Sequence, residues 1–282
     1  MADLENAISL YREALVLQPS SDPQPWVPLN NLGIALMDRY RCTGSMADLE
    51  EVISLCRQAL KLKLWSSSHP ERYLSLSNLA SPLLNRYRHS GTMADLEEAI
   101  SLYREALELR PSSHLGRWMP PNNLGSALLD RYNRTGAMAD LEEAISLFYE
   151  ALELRPSPYP DRSASLNNLS NALLARYRRT RIMDDLEKAV SLCREALQLR
   201  PSPHRHRSFP LSNLSLCLET MYKASHALPH LQEAIAHCEE LLDSHYPVGH
   251  KYRFTTLNRL TSLLQKHFDA TGRQEDRARM GC

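Results

Sequence analysis

The sequence predicts an all-α protein: a right-handed α-solenoid of antiparallel helix pairs, about 12 helices in all. Three observations carry this expectation. The block MADLE opens the chain at Met1 and returns at Met46, Met93 and Met138, with diverged copies starting at Met183 and Leu228. Those starts lie 45, 47, 45, 45 and 45 residues apart, and a period of roughly 20–50 residues marks stacked-repeat architectures. Leu, Ala, Glu and Arg dominate, while only 9 glycines and 4 phenylalanines occur in 282 residues, a helix former's composition.

Each unit opens with one helix and continues into another. In the third copy, residues 93–137, Leu96, Ala99, Ile100, Tyr103, Ala106 and Leu107 recur at helical spacing and form one broad apolar stripe. Thr92 and Ser45 read as N-caps, each with an Asp three residues on (Asp95, Asp48) to favour the helix dipole. Arg110-Pro111 ends that helix, because proline cannot continue the hydrogen-bond ladder; Pro19, Pro156 and Pro201 stand at the same point elsewhere. In the next helix Leu124, Leu128 and Tyr132 form the core stripe, and Gly136 supplies a left-handed stop. Gly44, Gly91 and Gly272 repeat it, whereas Arg181 takes the place in the fifth unit. A lone pair of such helices cannot bury both apolar faces, so neighbouring units must stack. The array is expected to span residues 1–272, leaving 273–282 as a short tail. Pro82, the 47-residue spacing and Leu64-Trp65 in place of the closing proline predict a kink and an offset in pitch in the second unit.

Composition excludes several function classes. Thirty-three Lys+Arg against 33 Asp+Glu argues against a dedicated nucleic-acid or anionic-membrane binder. The acidic start MADLENAISL is no signal peptide, and no apolar run approaches the roughly 18 residues of a membrane span. Six scattered cysteines without a CxxC pair fit a reducing, cytoplasmic setting; Cys56, Cys193 and Cys238 share one repeat position on an apolar face. There is no phosphate-binding glycine loop, nucleophile elbow or HExxH, so no catalysis and no cofactor are expected. His226, His230 and His237 are read as one face of the last repeat-opening helix, without the acidic or thiol partners of a metal site. Glu97-Glu98 and Glu142-Glu143 read as solvated first-turn acids.

The chain resembles the tetratricopeptide (TPR) family, over about 270 of its 282 residues. The resemblance rests on Ala99, Tyr103, Ala106, Pro111 and their counterparts (Ala7, Tyr11, Ala14, Pro19; Ala144, Phe148, Ala151, Pro156; Ala189, Cys193, Ala196, Pro201). It rests also on Leu32-Gly33 and Leu124-Gly125, relaxed to Leu79-Ala80, Leu169-Ser170 and Leu214-Ser215. In that family's order, the helix carrying Leu-Gly is the first of a pair and the MADLE helix is the second, so this chain starts on a second helix. Two departures stand out: Leu29, Leu76, Leu166, Leu211 and Leu257 occupy the usual tryptophan position, with Pro121 in the third unit, and the unit exceeds the usual length of about 34 residues. The long form is similar to TPR arrays of fungal proteins that end in a caspase-like CHAT domain. It implies either an interaction scaffold or the regulatory arm of a larger protein of which this chain is a fragment.

The candidate binding residues form an asparagine ladder: Asn31, Asn78, Asn123, Asn168 and Asn213, each just before the Leu of Leu-Gly. Asn30, Asn122, Asn167 and Asn258 double it, and Arg259 takes the ladder position in the last unit. Asn costs about 0.6 kcal/mol against Ala in a helix interior, so such repetition needs a reason. The family resemblance implies that this amide grips the backbone of an extended peptide in a concave groove, with Ser126 and Asn171 lining it. The alternative is that it bonds a neighbouring helix and sets the stacking. Lysines are absent from the neighbouring positions, which argues against the carboxylate clamp that some members of the family form. In Arg39-Tyr40-Arg41, Arg86-Tyr87-Arg88, Arg131-Tyr132 and Arg176-Tyr177-Arg178, the Tyr follows the core stripe and the Arg sits at a helix end, favouring packing over base stacking. The expected partner is a protein or peptide, with weak end-to-end self-association through open array ends.

Overall fold

The structure, a computed structural model, describes residues 2–19, 26–61, 72–109, 118–155, 162–204 and 206–280. Among the described residues it is all helical: α1 (Ala2–Leu17), α2 (Val27–Thr43), α3 (Met46–Lys61), α4 (Arg72–Ser90), α5 (Met93–Leu109), α6 (Met119–Thr135), α7 (Met138–Glu153), α8 (Arg162–Thr180), α9 (Met183–Gln198), α10 (Ser208–Ser225), α11 (Leu228–Glu240), α12 (Arg253–Thr271) and α13 (Gln274–Met280). The sequence repeats begin at the first residues of α3, α5, α7, α9 and α11. A single π-helical turn, Leu241–His245, extends α11. Residues 273–282, expected as a tail, hold the extra helix α13. The closing residues Arg110-Pro111 and Pro156, and Leu64-Trp65, lie outside the described residues.

Two compact units divide at Leu147 and Phe148, within α7. In unit 1, Met1–Leu147, the first helices α2, α4 and α6 pack side by side, each also against second helices α1, α3 or α5. In unit 2, Phe148–Cys282, α8 packs on α9, α9 on α10, α10 on α11 and α11 on α12. The apolar stripes supply the cores: Leu96, Ala99, Ile100, Tyr103, Ala106, Leu124 and Leu128 are all buried. Tyr177 is buried, but Tyr40, Tyr87 and Tyr132 are only half-buried, so the aromatic of the Arg-Tyr segment lies at the margin of the stripe.

The turn between a first and a second helix is the most regular feature. Gly44, Gly91, Gly136 and Gly272 adopt φ of 71°, 75°, 74° and 69°, and Arg181 and His226 follow at 63° and 55°. Each left-handed residue donates its N–H, at 2.7 Å, to the carbonyl of the aromatic four residues earlier. The preceding Ser or Thr closes the turn, donating back to its i−4 carbonyl and accepting the N–H two residues on, as Thr135 does between Arg131 and Ala137 at 2.9 and 3.2 Å. His226 therefore caps α10 and does not share a helix face with His230 and His237. Ser45 is the expected cap, accepting the Asp48 N–H at 3.3 Å, whereas the Thr92 hydroxyl meets Ser90 Oγ at 2.8 Å instead.

The aspartate of MADLE does more than favour a dipole. Asp48, Asp95, Asp140 and Asp185 are buried, and each receives Nε and Nη2 of an arginine nine residues earlier: Arg39, Arg86, Arg131 and Arg176, at 2.6–2.9 Å. His267 on α12 and Asp276 in the first turn of α13 occupy the same register, joined at 2.6 Å. Glu5, Glu50 and Glu97 of the preceding second helix accept the third nitrogen of Arg39, Arg86 and Arg131. The paired glutamates are thus inter-repeat partners and not merely solvated: Glu51, Glu98 and Glu143 bind Arg12, Arg57 and Arg104 of the neighbouring second helix.

α4 continues through Pro82 as a helix. Proline has no N–H to offer the carbonyl four residues back, that of Asn78. The Cys56 thiol on α3 takes up that carbonyl, at 3.4 Å.

Candidate functional site

Each ladder asparagine precedes a buried leucine (Leu32, Leu79, Leu124, Leu169, Leu214), so it sits one helical step, about 100°, off the core stripe. Asn31, Asn78, Asn123, Asn168 and Asn213 are accordingly half-buried on α2, α4, α6, α8 and α10. Their side chains are not equivalent. Among the described residues the amides of Asn31 and Asn78 have no hydrogen-bond partner. Asn123 Oδ1 faces Asn122 Nδ2 at 3.5 Å, and Asn122 is buried, away from the open surface. Asn213 donates to Asn167 Oδ1 at 2.8 Å, joining α10 to α8. In unit 2, therefore, this pair sets stacking between repeats; in unit 1 the amides of Asn31 and Asn78 stay open.

The residues one turn on differ in the same way. Ser126 donates to the Asn122 carbonyl at 3.0 Å, and Asn171 is half-buried on α8. Ser81 meets the Tyr103 hydroxyl of α5 at 2.9 Å. Burial pushes that phenol up to about 12, the Ser81 contact opposing, so Tyr103 is a neutral packing group. Arg259, which replaces Asn in the last unit, donates to the Ser212 carbonyl at 3.2 Å.

The thiols of the shared repeat position all find a partner on the facing first helix. Cys193 donates to Ser170 Oγ at 3.2 Å, Cys238 meets Ser215 Oγ at 3.0 Å, and Cys56 uses the Asn78 carbonyl. Burial pushes the Cys56 thiol up to about 12, so it remains an S–H donor. The Leu-Gly small residue is thus a contact point at Ser170 and Ser215. At Gly33 the helices leave room for a side chain, since an added Cβ would stand 4.0 Å from Cys56 Sγ.

Two cavities adjoin the ladder. One of about 170 Å³ in unit 1 includes Asn30, Gly33, Ile34, Cys56 and Asn78 in its walls. The other, about 370 Å³ in unit 2, includes Asn213, Phe209, Tyr246, Tyr252 and Arg259. Among the described residues no group of His, Cys, Asp and Glu is placed to hold a metal ion, and no helix is long and apolar enough to cross a membrane. The arrangement offers neutral amides beside partly apolar cavities, which suits main-chain recognition.

A family model described as tetratricopeptide repeat matches residues 29–71, 74–114, 122–155 and 162–206. No curated protein matches the chain in sequence. Among solved structures, the nearly identical TPR-like repeats of a putative kinesin light chain from Podosopora anserina match with TM-score 0.55 and 21% identity, covering 79% of this chain and 100% of that one. A thermophilic TPR protein of Thermus thermophilus gives 0.56 and 18%, covering 83% and 98%. YrrB, a TPR protein with an unusual peptide-binding site, gives 0.50 and 15%, covering 82% and 93%. At these identities the likeness concerns the fold.

Proposed function

Starting from the premise that the chain belongs to the tetratricopeptide repeat family, we propose that it is a non-catalytic protein-interaction scaffold whose first-helix face in unit 1 holds an extended peptide. The observation that carries this reading is the pair of open amides, Asn31 and Asn78, on adjacent first helices, with Asn78 in the wall of a partly apolar cavity. An amide both donates and accepts, so it matches a peptide main chain whatever its side chains. YrrB, of the same fold, is a peptide binder, which supports the class of ligand. The arginines of the Arg-Tyr series argue against nucleic acid as the partner, because Arg39, Arg86 and Arg131 each spend three nitrogens on carboxylates. The test is selection of a peptide from a random display library, followed by affinity measurement on variants. Asn31→Ala/Asn78→Ala weakens binding by about 5- to 150-fold, as expected for two lost hydrogen bonds of about 0.5–1.5 kcal/mol each. Equal affinity for parent and double variant would sink the reading.

A further inference from the structure

The cavity in unit 1 owes its existence to a change of residue within the repeat. At the second-helix aromatic position α5 carries Tyr103, whose hydroxyl reaches Ser81 on α4. The register-equivalent residues one unit earlier are Cys56 on α3 and Ile34 on α2. A ring at position 56 would extend toward Ile34, but the thiol stops short, held on the Asn78 carbonyl that Pro82 leaves free. Gly33 contributes no side chain to close the gap. Elsewhere a cysteine at this position is closed off by a serine hydroxyl, as at Ser170 and Ser215. Space for a ring is thus left open, about 170 Å³.

We propose that this cavity is a side-chain pocket that takes one uncharged aromatic ring from the bound peptide, a reading that rests on Asn31 and Asn78 acting as the main-chain grip. Three features select the occupant. The size is comparable to an apolar protein cavity of about 150 Å³ that takes up benzene. Three sulfur-bearing side chains, Met37, Cys56 and Met119, line it, and sulfur packs favourably on aromatic rings. Its charged lining residue, Arg41, already pairs with Asp38 at 2.7 Å, so nothing there calls for an anionic ligand. Asn78 adds an open amide to the same walls, within reach of the ligand's main chain.

The test uses the full chain with ¹³C-methyl methionine, titrated with N-acetyl-phenylalanine amide and, in parallel, N-acetyl-alanine amide. The Met37 and Met119 methyl resonances shift saturably with the phenylalanine compound and not with the alanine compound. Cys56→Tyr, which restores the ring of the neighbouring repeat, weakens that binding at least tenfold. Should Cys56→Tyr fail to fold by far-UV circular dichroism, Gly33→Leu fills the same space while keeping the thiol bond, and gives the same loss. Absent methyl shifts, or shifts that survive in a folded, filled variant, overturn the pocket. If the ring binds as described but Asn31→Ala/Asn78→Ala leaves the selected peptide's affinity unchanged, the main-chain reading fails while the pocket stands. If those alanines weaken the peptide and the ring does not bind, the pocket alone fails.

Discussion

Replacing Arg86 by methionine tests whether the repeated Arg–Asp pair holds successive helices together. Arg86 donates Nε and Nη2 to Asp95 at 2.8 and 2.7 Å, and Nη1 to Glu50 at 2.7 Å. The side chains of Arg86 and Asp95 retain 22% and 8% of their exposure, against 55% for Glu50. Methionine keeps the apolar stem and strands Asp95 in a buried site. Breaking a buried pair costs about 3–5 kcal/mol. The first turn of α5, which favours a carboxylate by about 0.5–1 kcal/mol, offsets part of this. The expected loss is about 2–4 kcal/mol. In urea denaturation followed by far-UV circular dichroism, a slope of about 2 kcal/mol per molar converts this to a midpoint about 1–2 M lower. Glu50→Gln removes an exposed partner and costs under about 0.5 kcal/mol. Arg86→Met/Asp95→Leu recovers most of the loss, because no buried charge remains. A midpoint for Arg86→Met within about 0.3 M of the parent refutes the pair as a stabilising joint; so does a Glu50→Gln variant that is equally damaged.

Three further outcomes follow from the same physics. Gly136→Ala, at φ 74°, places a Cβ in a left-handed turn and lowers stability by about 1–2 kcal/mol, read by thermal unfolding. Burial works against ionisation of Glu219, but hydrogen bonds from Lys266 and Lys223 hold its carboxyl below the ordinary range. A depressed folded-state value stabilises the fold above the ordinary carboxylate range and is lost as pH falls through the folded value. Lys266→Met is therefore less stable by about 1–2 kcal/mol at pH 7, and its deficit shrinks in acid; a deficit independent of pH contradicts the pairing. Finally, native protein treated with iodoacetamide at about pH 8 is alkylated at exposed Cys42 and spared at buried Cys56, as peptide mass mapping reads directly.

The repeat phase is legible in the sequence because it depends on local chemistry. Apolar spacing marks the helices, and a left-handed residue marks each turn even where Arg181 or His226 replaces glycine. The Arg–Asp joints are harder to read because each partner, taken alone, looks like a favourable helix-end charge. Their signal is a constant nine-residue interval from Arg39 to Asp48, Arg86 to Asp95, Arg131 to Asp140 and Arg176 to Asp185. The same interval from His267 to Asp276 marks α13 inside what reads as a tail. The asparagine ladder is visible as a series, but its division into open amides at Asn31 and Asn78 and a stacking bond at Asn213 is not. That division depends on which side chain the adjacent helix presents. The Cys56–Asn78 bond is hidden for the same reason, since Pro82 advertises a lost donor without naming the replacement on α3.

The central claim is that the chain recognises a peptide's backbone through Asn31 and Asn78. The most direct measurement is calorimetric titration of the display-selected peptide against the same peptide N-methylated one residue at a time. Methylation removes a main-chain donor and leaves every side chain in place. Recognition through the amides predicts one or two positions, within reach of Asn31 and Asn78, at which N-methylation weakens binding by about 2- to 12-fold; toward the Asn31→Ala/Asn78→Ala variant, methylation at those positions costs nothing further. Affinity that survives methylation at every position would contradict it.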